Sequence, residues 1–359
     1  TDEEILDFLL NYHKNDIADM MAGMTEEERK RLYHLLGAQK VAEIFKYIEE
    51  PRKYIRELSV ESAARVISEM DSDDAVDLLE DLDPEEKEQI VRMLDEDAKK
   101  DVKMLLSYDE EEIGSCMTTN YICIPENLTI RQAMSELVKQ AGENDNIMTI
   151  YVVDEKGVFA GAIDLKDLIR ARENAHLEDL VLKSYPYVTD HEKIDDCMDR
   201  ILDYAEDSIP VLSEDKKILG VITSEDLIEM VDNEMGEDYA KLAGLTAEED
   251  LKEPTLQSMK KRLPWLIILL FLGMAVSSVV GLFENVVAVL PIVICFQSLV
   301  LDMAGNVGTQ SLAVTIRVLM DENLTGKQKF QLVVKEVKTG SLNGALLGIM
   351  ALLCLGVYV

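Results

Sequence analysis

Histidine and cysteine are scarce in this chain, four and five copies among 359 residues, and neither is spaced like a set of metal ligands. His13, His34, His176 and His191 stand apart, with no nucleophile–base arrangement or phosphate loop near them, so the sequence points away from an enzyme. Cys116, Cys123, Cys197, Cys295 and Cys354 are scattered, two of them in apolar stretches. That is the usage of reduced, packed thiols in a cytosolic and membrane setting. Positive charge is the second shortage: 36 Lys and Arg face 70 Asp and Glu, a formal net charge of −34. Nucleic acid is thereby excluded as a partner, because displacing counterions from phosphates takes a basic surface. A secretory signal is also missing, and residue 1 is Thr, which predicts a trimmed N-terminus.

The charge is divided unevenly. Residues 263–359 hold five acids and five bases, so the whole net charge lies in residues 1–262. An acidic surface of that kind keeps a protein dispersed. Clustered carboxylates also repel one another until hard cations such as Mg2+ or Ca2+ neutralise them.

Residues 1–112 carry a repeat. Tyr12, Met24, Leu36 and Ile48 are 12 apart, and after a slip of two, Leu58, Met70, Leu82, Leu94 and Leu106 continue the spacing. Thr25, Ser59, Asp71, Asp83, Asp95 and Ser107 follow at N-cap positions, with Glu28, Asp74, Glu86 and Glu110 three residues on and Pro84 at a first helical position. The pattern predicts an all-α superhelix of short helices, acidic outside, with Ala75, Val76, Leu78 and Leu79 inward.

Residues 113–236 are a duplication: 124–134 match 188–198 at an offset of 64, and 151–169 match 210–228 at an offset of 59. Each copy reads as strand, helix, two strands around an acidic turn, then helix. The five extra residues of the first copy fall in its helix–strand loop. This α+β unit resembles a tandem pair of CBS domains, modules that often bind adenosine nucleotides. Gly220, Thr223 and Asp226 stand where that family places phosphate- and ribose-binding residues, whereas the first copy has Asp164 in place of the Thr. The resemblance therefore implies ATP or a related nucleotide at one site, with Thr223 and Asp226 in it, or else a dimerising scaffold without nucleotide.

A charged linker, residues 237–262, leads to a partial transmembrane domain, residues 263–359. Pro264 to Phe283 is an uncharged run of 20 residues, long enough for one span. Lys260, Lys261 and Arg262 before it, and Lys327, Lys329, Lys335 and Lys338 before the run at 339–359, put those ends in the cytoplasm. Between them a helix of roughly 31 residues from Val286, about 46 Å long, is expected. It carries Asp302, Asn306, Thr309 and Gln310 largely on one face, beside Gly305 and Gly308. Such side chains avoid lipid. They suit a pore wall touching the water shell of a cation that dehydrates reluctantly, or a helix–helix seam of small residues and amides.

The order of these parts, with MDSDDAVDLLEDLDPE (70–85), GVITSEDLIEMVDNEMGEDYAKLAG (220–244), KRLPWL (261–266) and GNVGTQS (305–311), resembles the MgtE family of magnesium channels over essentially the whole chain. The resemblance implies a homodimer in the inner membrane, with its N-terminal domains cytoplasmic, importing Mg2+, with Co2+, Mn2+ or Ni2+ as alternative cargo. It further implies Mg2+ sensing by Asp73 and Asp74, by Asp226 and Glu229, and by Glu234 and Glu237 at the start of the connecting (plug) helix. The family has five spans and an ion-selecting Asp on the fifth, so this chain reads as a fragment ending after its third span. The competing expectation is a nucleotide-responsive CBS module whose membrane part is an anchor.

Overall fold

A computed structural model describes residues 9, 11–48, 50–142, 144–172, 175–246, 254–285, 292–321 and 325–358. The chain divides into two compact units, Thr1–Glu229 and Met230–Val359.

The first unit opens with α1 (Lys14–Ala22), α2 (Glu26–Phe45), α3 (Pro51–Ile55), α4 (Val60–Ser68), α5 (Ser72–Glu80), α6 (Pro84–Met93) and α7 (Glu96–Leu105). The expected caps at Thr25, Ser59, Asp71, Asp83 and Asp95 all stand at helix N-caps, and Pro84 is the first residue of α6. Thr25 and Glu28 close a full capping box, which satisfies two otherwise orphaned N–H groups. Ser107 departs from the expectation. Its hydroxyl donates back to the Met104 carbonyl at 2.6 Å, and the chain turns into a short 3-10 helix at Ile113–Cys116 instead of another α-helix. The α2 helix is two helices joined at a kink, where Gly37 takes φ 78°.

After α1, which packs on α2, packing skips one helix at a time: α2 on α4, α4 on α6, and α5 on α7. That is the geometry of a superhelix, in which each short helix buries its apolar stripe against near neighbours only. Ala75, Val76, Leu78 and Leu79 of α5 are all buried, as their spacing predicts. Arg29 and Glu57 form a buried pair, Arg29 Nε donating to Glu57 Oε2 at 2.9 Å beneath the Tyr54 ring.

The duplication folds as two three-stranded sheets. The first copy is β1 (Ile122–Pro125), α8 (Ile130–Gln140), β2 (Thr149–Val153), β3 (Phe159–Asp164) and α9 (Leu165–Arg170). The second is β4 (Val188–Thr189), α10 (Ile194–Tyr204), β5 (Ser208–Leu212), β6 (Ile218–Thr223) and α11 (Ser224–Leu242). In each, the first strand pairs parallel with the second and the second antiparallel with the third. The first copy's extra residues lie in the α8–β2 loop, as expected, since that loop runs over 141–148 against 205–207 in the second. The copies join through a buried aromatic contact, where Tyr151 Oη meets Ser208 Oγ at 2.6 Å and Tyr185 Oη donates to the Ser208 carbonyl at 2.8 Å.

Gly161 in β3 is required by close approach. Its φ is 150°, and a Cβ there would lie 2.5 Å from the Leu182 carbonyl oxygen. Gly161→Ala is expected to cost about 1–3 kcal/mol, read as a lower urea midpoint of the first unit.

In the second unit, α12 (Thr255–Gly281), α13 (Ile292–Asp321) and α14 (Gly326–Tyr358) follow the rest of α11. The α12 helix starts at Thr255 and continues through Pro264, so the basic approach and the first expected span are one helix. Among the described residues, two helices here, α12 and Gly326–Cys354 within α14, are long and apolar enough to cross a membrane. The start of the expected middle span, residues 286–291, lies outside the described residues, and α13 is its described part. The expected boundary at residue 236 falls inside α11, which continues unbroken to Leu242.

Candidate functional site

The acids of the first unit concentrate where the helical domain meets the second copy of the duplication. Two helix beginnings supply them. In α5, Asp73, Asp74 and Asp77 follow the N-cap Asp71 within two turns, because the inward face is claimed by Ala75, Val76, Leu78 and Leu79. In α11, Glu225, Asp226 and Glu229 occupy the first turns after β6.

The segment 117–120 joins the two. Thr118 exchanges both backbone hydrogen bonds with Val221 of β6, at 2.9 Å each. Thr119 N donates to Ser72 Oγ at 2.9 Å, and its hydroxyl donates to Asp101 at 2.8 Å. Asn120 Nδ2 donates to Asp71 Oδ1 at 2.7 Å. Asp71 thus caps α5 by position while turning its carboxylate outward, and no side-chain cap bond forms there.

The carboxylates are crowded and partly desolvated. Asp73 Oδ1 is buried with no hydrogen-bond partner among the described residues. Burial, then the charge of Asp71, holds the Asp73 carboxyl above its ordinary range. Burial and the Asp73 charge push Asp226 up to about 7, against the opposing pull of two Thr223 hydrogen bonds. Burial, then Asp73, pushes Asp74 to about 7, and burial, then Glu229, pushes Asp77 to about 6. A group of acids that keeps its protons close to neutrality lacks positive charge. Lys46 supplies part of it, with Nζ 3.1 Å from Glu225 Oε2.

No three His, Cys, Asp or Glu among the described residues are gathered closely enough to hold one metal ion in common. Mg2+ does not demand that, since it keeps several waters and is held through one or two carboxylates. The buried, unpartnered oxygen of Asp73 and the crowded carboxylates around it fit such a hydrated cation. Cys116 is a poor ligand here, because burial and the neighbouring charges of Asp77, Asp226 and Glu229 raise its thiol.

Four of the sequence-derived sensing residues, Asp73, Asp74, Asp226 and Glu229, belong to these two helix beginnings, with Glu229 exposed at the edge. Glu234 lies further along α11 in the second unit, and the side chain of Glu237 is outside the described residues. Asp77, Glu225 and Lys46 were not singled out by the sequence. Asp77 is legible in hindsight, one turn after Asp73 on the same face. Lys46 has no local signal at all.

The residues expected to take nucleotide have structural duties. Thr223 N and Oγ1 donate to Asp226 Oδ2 at 2.6 and 2.9 Å, and Asp226 N donates back to Thr223 Oγ1 at 3.3 Å, a reciprocal cap on α11. Gly220 admits the 117–118 segment, since a Cβ there would lie 2.7 Å from the Thr118 carbonyl oxygen. Asp164, the counterpart of Thr223, caps α9 without a side-chain bond.

In α13, Asp302, Asn306, Thr309 and Gln310 are exposed and share one face within an arc of about 100°. Asn306 Nδ2 donates to the Asp302 carbonyl at 3.1 Å, and the Thr309 hydroxyl to the Asn306 carbonyl at 3.0 Å. Those bonds lower the cost of the polar face in an apolar setting while leaving the Asp302 and Gln310 side chains open.

Comparison with known proteins matches three parts of the chain. Residues 12–111 match the family described as MgtE intracellular N domain, residues 111–174 and 177–233 match CBS domains, and residues 297–359 match a family described as divalent cation transporter. A protein of Enterococcus faecalis named magnesium transporter MgtE is 39% identical over 99% of this chain and 79% of its own length. One of the same name from Thermus thermophilus is 29% identical, over 68% of this chain and 54% of its own length. A crystal structure of the soluble part of a magnesium transporter matches with a TM-score of 0.62 and 31% identity, covering 65% of this chain and 93% of that one. Another, of the cytosolic domain of the Mg2+ channel MgtE in complex with ATP, gives 0.57 and 27%, covering 62% and 92%.

Proposed function

Because the chain belongs to the MgtE family of magnesium transporters, we propose that it is a Mg2+ channel or transporter subunit whose acidic first unit senses cytosolic Mg2+. The single observation that carries the sensing role is the gathering of Asp73, Asp74 and Asp226 at the beginnings of α5 and α11, where Asp73 Oδ1 is buried with no hydrogen-bond partner among the described residues. Each of these acids is more easily accommodated when a cation replaces the missing proton. Mg2+ between the two helix beginnings would draw the helical domain and the second CBS copy together. At low Mg2+ the same acids repel and the contact loosens. Glu229, Glu234 and Glu237 follow Asp226 in sequence along α11.

The apolar α12 and α14 support a membrane protein; in our reading it sits in the inner membrane, with the first unit cytoplasmic and two copies forming the transport path. The face of Asp302, Asn306, Thr309 and Gln310 is then the part of α13 that meets hydrated Mg2+. Co2+, Mn2+ and Ni2+ are alternative cargo of the same charge. ATP is a second ligand suggested by the relative solved with it. Here its binding at Thr223 and Asp226 would have to coexist with the cap those residues form.

Limited proteolysis of the chain in detergent tests this reading. Millimolar Mg2+ should protect bonds near residues 71–80 and 224–229, and ATP alone should not. Protection by ATP without protection by Mg2+ would favour a nucleotide-responsive module with a membrane anchor.

A further inference from the structure

One fixed cation stands inside the acidic group. Lys46 directly follows α2, whose last turn is anchored by the buried Val41, Ala42, Ile44 and Phe45. Its Nζ lies 3.1 Å from Glu225 Oε2, 3.8 Å from Asp71 Oδ2 and 3.9 Å from Asp74 Oδ2. Asp71 and Asp74 belong to the helical domain and Glu225 to α11, so a single ammonium touches carboxylates from both sides of the junction.

We propose that Lys46 is an internal counter-cation that limits how far the contact between the helical domain and the second CBS copy loosens without metal, and that competes with Mg2+ for the same carboxylates. In that role it sets the Mg2+ concentration at which metal bridging takes over. The inference rests on the cation-sensing reading above and adds a built-in opponent to the metal.

The geometry suits an exchangeable cation. Only the Glu225 contact is within hydrogen-bond distance; the other two are ion pairs without a hydrogen bond. A lysine ammonium is a strongly hydrated point charge on a flexible stem, able to swing out when a divalent ion arrives. Asp71 is held independently by Asn120, and Asn120 Oδ1 in turn accepts from Asp145 N at 3.0 Å, so Asp71 keeps its place when the lysine leaves. The contact is partly open to solvent, with Glu225 65% exposed, so salt should weaken it.

The test compares the full chain with Lys46→Met, which keeps the stem and removes the charge, and with Lys46→Arg. Hydrogen exchange is followed in segments 72–80 and 224–229. Without divalent metal, the Met variant should exchange roughly three- to tenfold faster there than the parent, and the Arg variant close to the parent. The Mg2+ concentration for half-maximal protection should fall by a similar factor in the Met variant, since the competitor is gone. A Met variant equal to the parent in both respects overturns the proposal. A parent with no Mg2+ response refutes the sensing reading instead. The metal-free comparison then still decides whether Lys46 joins the domains, because its effect should vanish in about 1 M salt.

Discussion

Neutralising both half-buried acids, with Asp73→Asn and Asp226→Asn together, is expected to raise the Mg2+ needed for half-maximal protection of the first unit at least tenfold. The two residues come from the two helix beginnings that the cation would bridge. Each loses one negative charge with little change in shape, and the carboxamide oxygen introduced at position 226 can still accept from Thr223. For a hard cation, the number of ligand charges shifts affinity by decades. A tenfold loss corresponds to about 1.4 kcal/mol, a modest demand for two partly desolvated charges. In liposomes the same variant should carry flux at Mg2+ concentrations that silence the parent. Glu229→Ala should do the same more weakly, since Glu229 is exposed. A double variant with the parent's Mg2+ midpoint would remove Asp73 and Asp226 from the sensor.

The second large effect is on stability against pH. Asp74 and Asp226 stand at about 7 and Asp77 at about 6 in the folded chain, against about 3.9 for an unfolded Asp. The folded state therefore holds protons that the unfolded state has released, and stability must fall as pH rises from about 4 through 7. With Asp77 left out as exposed, and the shifts of Asp74 and Asp226 discounted for solvent screening, the loss between pH 5 and pH 8 is about 3 kcal/mol. That corresponds to about 5–10 °C in melting temperature. His191, raised by its hydrogen bond to Glu112, loses stabilisation in the same direction. The double Asn variant helps separate the two, because it removes the share of Asp226 and the Asp73 charge that adds to the shift of Asp74, and leaves that of His191. Calorimetry in a chelator should show the fall, and saturating Mg2+ should flatten it. A flat profile without metal would mean that these carboxylates are as well solvated in the fold as outside it.

Much of this was legible in the sequence because local signals and burial agree. The 12-residue spacing located the caps at Thr25, Ser59, Asp71, Asp83 and Asp95, and a duplicated pattern with an insertion located the two sheets and the longer α8–β2 loop. Ser107 carries the same cap signal without the helix, because its hydroxyl is satisfied by the preceding turn. The first expected span was read as the uncharged run from Pro264, and the helix that carries it, α12, starts nine residues earlier at Thr255 and continues through the proline. At the site, Asp73, Asp74, Asp226 and Glu229 were readable from motif, and Asp77 from helical periodicity. Lys46 was not readable. Its role depends on a meeting of residues 46, 71, 74 and 225 that only tertiary structure creates.

The alternate-neighbour packing of the N-terminal helices also bears on how such a protein changes over generations. Each helix answers only to those beside it, so outward-facing acids on one repeat can be gained or lost while the rest of the stack keeps its shape. On the sensing role proposed above, single substitutions among the acids of α5 would shift the response threshold, and a lineage living in a different ionic environment would need no new fold to follow it.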